Sequence, residues 1–387
     1  MSVEVRPYGV KCNIACKYCY QNEIRDSGNA LPRYDLAKMK EAIERREEAF
    51  TLFGGEPLLM PRGDLETLWK WGYERFGANS VQTNGTLISE AHIALFRAYG
   101  VKVGISVDGP GELNAARWAG SPEATARGTE RTHAAIARLC AEGLAPSLIV
   151  TLHRLNAARD RLPMLMEWLS SVERLGVTRV RLHVLEVDAE QVRADYALDP
   201  RASADAMTAL MRFESERLST LRFDVFDEMR RLLAGRDKGT SCVWNGCDPY
   251  DTSAVYGIDG NGQLTNCGRT NKDGVDFVKS GAPGYARYLA LYATPQEDGG
   301  CADCRFFLMC KGQCPGTAIG GDWRNRTEHC GLWTELFTIM EAQALDRGEI
   351  PLSLHARRAD VEAALLDAWA DDRHLFVEDA LAALAPA

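Results

Sequence analysis

The sequence predicts an α/β fold in its first half, then a cysteine-rich segment, then a helical tail. Three observations carry this. Up to about residue 200, six short runs of strand character alternate with amphipathic stretches. Eight of the twelve cysteines lie between Cys242 and Cys330, where apolar periodicity is weak and Gly and Asn are common. From Leu332 onward the apolar spacing is helical again, interrupted at Gly348 and Pro351.

The strand-like runs are residues 3–7, 49–53, 80–82, 101–107, 148–152 and 177–185. The second ends at Gly54-Gly55, the third at Thr83-Asn84-Gly85 and the fourth at Asp108-Gly109. Apolar residues spaced by three and four mark helices over 36–46, 65–75, 90–99, 124–139 and 162–175. Strict alternation implies parallel strands joined by right-handed crossovers, in an open doubly wound sheet or a barrel-like arrangement. Asp199-Pro200 reads as an N-cap followed by proline in the first turn, opening a helical segment to about Leu233. The expected organisation is a sheet domain over 1–200, a helical linker over 201–240, a cysteine-rich domain over 241–335 and a helical tail over 336–387.

Composition limits the function. A 387-residue chain with 46% hydrophobic and 26% charged residues can build two or three cores and is not intrinsically disordered. The formal charge of −9, from 45 basic and 54 acidic side chains, argues against nucleic-acid binding. No apolar run approaches the roughly 18 residues of a membrane span. The start, MSVEVRPYGV, lacks a signal-peptide pattern, so a cytoplasmic protein is expected. In that reducing setting, clustered cysteines point to metal or redox chemistry rather than disulfides.

The first cluster, Cys12, Cys16 and Cys19, forms a C-x3-C-x2-C loop directly after the first strand. Three thiolates can hold three irons of a [4Fe–4S] cluster and leave the fourth open. A zinc knuckle would need a histidine to complete it, and the first histidine is His92. With Tyr18 before its last cysteine, the loop resembles that of the radical S-adenosylmethionine (SAM) enzymes. The resemblance implies a partial (β/α)6 barrel and SAM chelated to the open iron. It also implies reductive cleavage to methionine and a 5′-deoxyadenosyl radical, which abstracts a substrate hydrogen.

Other loops share the resemblance. Gly54-Gly55-Glu56-Pro57 looks like the family's GGEP motif, which binds the SAM amino group. Asn84 lies in a loop resembling another part of the SAM pocket. By the same resemblance Ser106 or Asp108 binds the ribose hydroxyls, and Arg117 the SAM carboxylate, a charge-assisted pairing. The cysteine, GGEP, Asn84 and Asp108 loops follow strands 1 to 4, and parallel barrels place their active sites at the carboxyl ends of strands.

Cys247, Gly262, Cys267, Cys301, Cys304, Cys310, Cys314 and Cys330 occur in an order resembling the SPASM domain of many radical SAM enzymes. That domain carries two auxiliary [4Fe–4S] clusters, giving three in all. With Cys242 added there are eight cysteines for the two. By analogy Cys242, Cys247, Cys267 and Cys314 hold auxiliary cluster I, and Cys301, Cys304, Cys310 and Cys330 hold cluster II. Two zinc sites are the alternative, and so is a cluster I without Cys242 and with an open iron. Cys140, alone in a helix, reads as a buried apolar residue.

The resemblance implies a radical SAM oxidoreductase that modifies a precursor peptide, with reduced flavodoxin or ferredoxin as electron donor. The leading expectation is an intramolecular cross-link in a ribosomally made peptide. Gly268 stands after Cys267 where sulfatase-maturing relatives carry an aspartate base, which disfavours formylglycine formation. Eleven residues before Cys12 leave no room for an N-terminal peptide-recognition domain, so a separate leader-binding protein is expected if one is used. Alternatives are an oxidase or epimerase of a small molecule, and a non-enzymatic iron–sulfur carrier, which would need no SAM-pocket loops. No catalytic base is identifiable. Asp248, Tyr250, Asp259, Arg269, Asp322, Arg324 and Arg326 read chiefly as turn, cap or solvated residues. Trp244 and Trp323 read as cluster packing, and His183 as a core residue.

Overall fold

The computed structural model describes residues 2–22, 33–187, 189–251, 255–265, 267–269 and 284–384. They form two compact units. The sheet unit contains Ser2–Asp224 and the described residues from Tyr256 to Arg269. The cysteine-rich unit contains Val225–Val255 and the described residues from Gly284 onward.

The strands are β1 (Ser2–Arg6), β2 (Phe50–Leu52), β3 (Asn79–Thr83), β4 (Val101–Ser106), β5 (Ser147–Leu152), β6 (Arg179–Val184), β7 (Arg222–Phe223), β8 (Val255–Asp259) and β9 (Leu264–Thr265). They lie in the order β7-β6-β5-β4-β3-β2-β1-β8-β9. Neighbours from β1 to β7 are parallel, with Val5 opposite Leu52, Val81 opposite Val103 and Val150 opposite Leu182. β8 and β9 form an antiparallel hairpin. The six expected strands are present within a residue or two, so the α/β class read from the sequence is the class found.

Side chains alternate across a strand, which gives the sheet two unlike faces. Val3, Val5, Phe50, Leu52, Leu148, Val150, Val180 and Leu182 are buried. Glu4, Arg6, Gln82, Ser106, Thr151, Arg181 and His183 alternate with the apolar positions and make the opposite face polar.

The helix starts have local causes. The Asp35 carboxylate accepts from the Ala37 and Lys38 amides at 3.0 and 3.1 Å and caps the helix Leu36–Glu44. Asp199 accepts from Ala202 N at 2.7 Å and opens Pro200–Arg217. The helical segment expected to reach Leu233 is interrupted by β7. Glu173 Oε1 accepts from the Ser219, Thr220 and Leu221 amides at 2.8, 2.6 and 2.9 Å, and Glu214 accepts from Phe223 N. Those carboxylates satisfy the amides that a continuous helix would have used.

The cysteine-rich unit builds its core from aromatic side chains. Trp244 is fully buried, with ring centroids 5.4 Å from Trp333 and 5.7 Å from Phe337. Phe306 stacks on Phe337 at 5.4 Å, and Tyr288 meets Trp369 at 4.9 Å. The segment is aperiodic because its apolar residues dock singly against the helices Cys330–Asp346 and Arg358–Ala370. Among the described residues, no helix is long and apolar enough to cross a membrane.

Candidate cofactor and cluster sites

In the sheet unit, the loop after β1 carries the thiols of Cys12, Cys16 and Cys19, all partly accessible. Backbone bonds fix its course. Ala15 N donates to Trp118 O and Lys17 N to Ala116 O, both at 2.7 Å, and Asn22 Nδ2 reaches Cys16 O at 2.9 Å. The GGEP loop lies directly against the same stretch. Gly55 N donates to Gly9 O at 3.0 Å and Glu56 N to Lys11 O at 2.9 Å. A Cβ on Gly55 would fall 2.0 Å from Lys11 O, and one on Gly54 (φ +114°) 2.5 Å from Gly9 O. Only glycine permits both the approach and the dihedral.

The Glu56 side chain is buried and already engaged. Oε1 accepts from Leu58 N at 3.0 Å and Thr83 Oγ1 at 2.7 Å; Oε2 accepts from Asn84 N at 2.8 Å. Burial raises its carboxyl, against the pull of those donors. The carboxylate thus joins the GGEP loop to the loop after β3. Pro57 opens the short turn that follows. Asn84 carries the chain of contacts to the thiols: its Nδ2 donates to Asn13 Oδ1 at 2.8 Å and lies 3.8 Å from Cys12 Sγ. Ser106 accepts from Gln82 Nε2 at 2.9 Å on the polar face.

Asp108 has no solvent exposure and is surrounded by donors. Oδ1 accepts from Thr151 N at 3.0 Å and Arg117 Nη2 at 3.1 Å. Oδ2 lies 3.0 Å from Arg117 Nε and 3.4 Å from His153 Nε2, and accepts the Tyr18 hydroxyl. Burial alone would raise this carboxyl, but Arg117, His153 and Tyr18 hold it well below the usual carboxylate range. Asp108 and Arg117, expected from the resemblance on the SAM ribose and carboxylate, therefore meet each other and Tyr18 of the cysteine loop. His153 is a member that sequence reasoning missed. Burial pushes the Cys16 thiol up to about 12, with Arg117 opposing. Metal binding must displace that proton.

On the polar face, Arg269 Nη1 pairs with Glu186 Oε1 at 2.8 Å, and its Nη2 lies 2.9 Å from His183 Nδ1. A guanidinium only donates, so Nδ1 is the acceptor and the imidazole hydrogen sits on Nε2. Burial, then Arg269, holds His183 well below its ordinary pKa. A Cβ on Gly268 would meet Gln21 Nε2 at 3.0 Å and Tyr20 Cε2 and the Tyr20 hydroxyl at 3.1 Å.

In the cysteine-rich unit, Cys301, Cys304, Cys310 and Cys330 line one cavity. Phe306, Phe307, Trp333, Phe337, Arg326 and Thr327 complete the lining in part. Burial pushes the Cys301 thiol up to about 12, with Cys304 and Cys330 adding to it and Arg326 opposing. Two buried nitrogens on lining residues, Arg326 Nε and Trp333 Nε1, have no hydrogen-bond partner among the described residues. Four thiols are the number a [4Fe–4S] cluster takes as ligands, and N–H donors can hydrogen-bond its sulfurs. Cys242 begins the turn Cys242–Asn245, and Cys247 follows it. Arg287 is buried and ties this region together. It donates to Gly246 O, Gln313 O, Trp323 O and Asn325 O at 2.6, 3.3, 2.6 and 2.8 Å, gripping the carbonyls that precede Cys247 and Cys314. Cys267 belongs to the sheet unit.

The remaining polar candidates serve turns: Asp248 accepts from Tyr250 N, Asp259 from Asn261 N and Gln263 N, and Asp322 from Arg324 N. Arg324 lies over the Trp323 ring at 4.8 Å, and Tyr250 packs edge-on against the same ring at 5.4 Å.

A parallel βα sheet with a cysteine loop and a glycine loop beside its strand ends defines a barrel-type α/β protein with its site at the carboxyl edge. Residues 7–169 match the radical SAM superfamily model, and this part of the chain is a radical SAM domain. The family implies a [4Fe–4S] cluster and SAM.

The serine-type anaerobic sulfatase-maturating enzyme of Bacteroides thetaiotaomicron is 33% identical over 125 residues, 29% of this chain and 30% of the relative. The cysteine-type enzyme of Clostridium perfringens (strain 13 / Type A) is 32% identical over 128 residues, 30% of this chain and 34% of the relative. The matched stretch thus spans about a third of these curated relatives. Among solved structures, native anSMEcpe with bound AdoMet and Cp18Cys peptide superposes with a TM-score of 0.68 at 17% identity, covering 89% of this chain and 98% of that one. Streptococcus suis SuiB bound to S-adenosylmethionine gives 0.53 at 14% identity, covering 72% and 62%. These likenesses show the fold.

Proposed function

We propose that the protein is a radical SAM oxidoreductase that modifies a peptide. The carrying observation is the continuous set of contacts from Glu56 through Asn84 and Asn13 to Cys12, beside the strand ends. In this reading Cys12, Cys16 and Cys19 hold the SAM-binding cluster, and the backbone of Gly54–Glu56 faces the SAM amino group. When bound, cluster and SAM together supply a 5′-deoxyadenosyl radical that removes a hydrogen atom from substrate. Glu56 keeps two loops in register. Asp108 and Arg117 hold Tyr18, and through it the thiol loop. The polar face, with His183 Nε2–H fixed by Arg269, meets the peptide.

The outcome we infer is an intramolecular cross-link in a ribosomally made peptide. After hydrogen abstraction an electron must leave the substrate, and two auxiliary clusters on Cys242, Cys247, Cys267, Cys301, Cys304, Cys310, Cys314 and Cys330 would accept it. Reduced flavodoxin or ferredoxin supplies the first electron. Gly268 carries no carboxylate, and a Cβ there would press on Gln21 Nε2 and the Tyr20 ring, which speaks against formylglycine formation. A second reading, oxidation of a serine or cysteine side chain to formylglycine, is favoured by what the relatives' names say they do.

Anaerobic incubation of the reduced, reconstituted protein with SAM and short peptides encoded beside its gene tests both. Loss of two hydrogens, with fragmentation blocked between two side chains, is the expected result. A product that reacts with a hydrazide probe establishes formylglycine instead. 5′-Deoxyadenosine without any altered peptide overturns the peptide reading.

A further inference from the structure

We propose that Arg326 and Trp333 are the hydrogen-bond donors to the sulfurs of a cluster held by Cys301, Cys304, Cys310 and Cys330, and that they set its reduction potential. The proposal rests on the reading of that cavity as a cluster site. Three observations carry it. Both side chains line the same cavity as the four thiols. Arg326 Nε and Trp333 Nε1 are buried, with no partner among the described residues. Native interiors seldom leave such donors unmet, because an unpaired buried donor forfeits its hydration without return. The Nη1 donors of Arg326 are placed. Its Nη1 donates to Gln296 O at 2.5 Å and to Gly300 O, the carbonyl immediately before Cys301. That grip fixes the guanidinium with Nε left over. Trp333 is fixed by its ring contact with Trp244.

The chemistry needed at the cavity is acceptor chemistry. Arg and the indole N–H only donate, so nothing that itself offers only donors can satisfy them. Cluster sulfides and cysteinyl sulfurs carry negative charge and accept. Reduction adds one electron to the cluster, and N–H···S bonds together with the nearby guanidinium stabilise the more negative form. Removing either donor therefore lowers the potential.

The test uses the full chain, reconstituted with iron and sulfide, in a Cys12→Ala/Cys16→Ala/Cys19→Ala background that silences the first cluster. The signal belonging to the cavity is the one lost on adding Cys310→Ala. If Cys310→Ala removes no iron and no signal, the cluster reading itself falls. With the signal assigned, redox titration followed by electron paramagnetic resonance compares Arg326→Gln and Trp333→Phe with the parent. Trp333→Phe keeps an aromatic ring at this position and deletes the donor. We expect at least a threefold fall in the reduction equilibrium constant for Trp333→Phe. For Arg326→Gln we expect a tenfold fall, about 59 mV for one electron. Should Arg326→Gln fail to load iron, Trp333→Phe decides alone. Parent potentials in the variants that load overturn the proposal.

Discussion

The two units gather cysteines in opposite ways. In the sheet unit three thiols share one short loop, and the scaffold around it is polar: amides on Trp118 O and Ala116 O, Asn84 against Cys12, Tyr18 on Asp108. In the cysteine-rich unit four thiols come from a long stretch, and the cavity they line is walled largely by Phe306, Phe307, Trp333 and Phe337. A polar loop with partly accessible thiols suits exchange of a bound small molecule. An aromatic wall suits a group that only takes and passes electrons. The first arrangement is held by hydrogen bonds and the second by packing, so they should respond differently to the same insult.

The largest expected difference comes from thiol removal. Replacing Cys12, Cys16 and Cys19 with Ala should reduce 5′-deoxyadenosine formation below detection while the remaining iron is retained. Chromatography of the nucleoside together with iron and sulfide analysis checks this. Retained cleavage would erase the distinction between the units. Asp108→Asn attacks the polar scaffold. Breaking a buried, hydrogen-bonded ion pair costs about 3–5 kcal/mol, read as a lower denaturant midpoint of the cluster-free protein. The pH dependence has a defined sign. Because Asp108 is held below the ordinary aspartate value of about 3.9, its ion pair stabilises the fold above that pH, and the contribution disappears as pH falls toward the depressed value. The midpoint should therefore drop more between about pH 6 and about pH 3 in the parent than in Asp108→Asn. A smaller loss, about 2–3 kcal/mol, is expected for Glu56→Gln, whose amide would set a donor against donors at Thr83 or Asn84. An unchanged midpoint would mean that Glu56 does not hold the two loops together. Ser106→Ala should change least, about 0.5–1 kcal/mol, since it gives up the neutral bond from Gln82 on the polar face.

The contrast also explains what the sequence disclosed. Strands β1 to β6 and the Asp199-Pro200 helix start were legible because period and capping are local signals. β7 was not: it is two residues long and is called into being by Glu173, some forty-odd residues earlier in the chain. The hairpin of β8 and β9 hides in a segment whose glycines and cysteines mask alternation. The thiols could be read from their spacing, and the GGEP loop from its resemblance to the family motif. The partners of Asp108 could not, since Tyr18 lies 90 and His153 lies 45 positions away. Arg287 did leave a signal: a lone cation in the apolar helix ARYLALYA, one turn from the buried Leu291. Arg326 reads in sequence as a turn residue, and only the cavity distinguishes it from Arg324 beside Trp323.

The strap of Ala116 and Trp118 against Ala15 and Lys17 has a consequence for the working life of the protein. The course of the thiol loop is written in amide bonds, so under our reading of it as a cluster site, reloading would refill a loop rather than fold one.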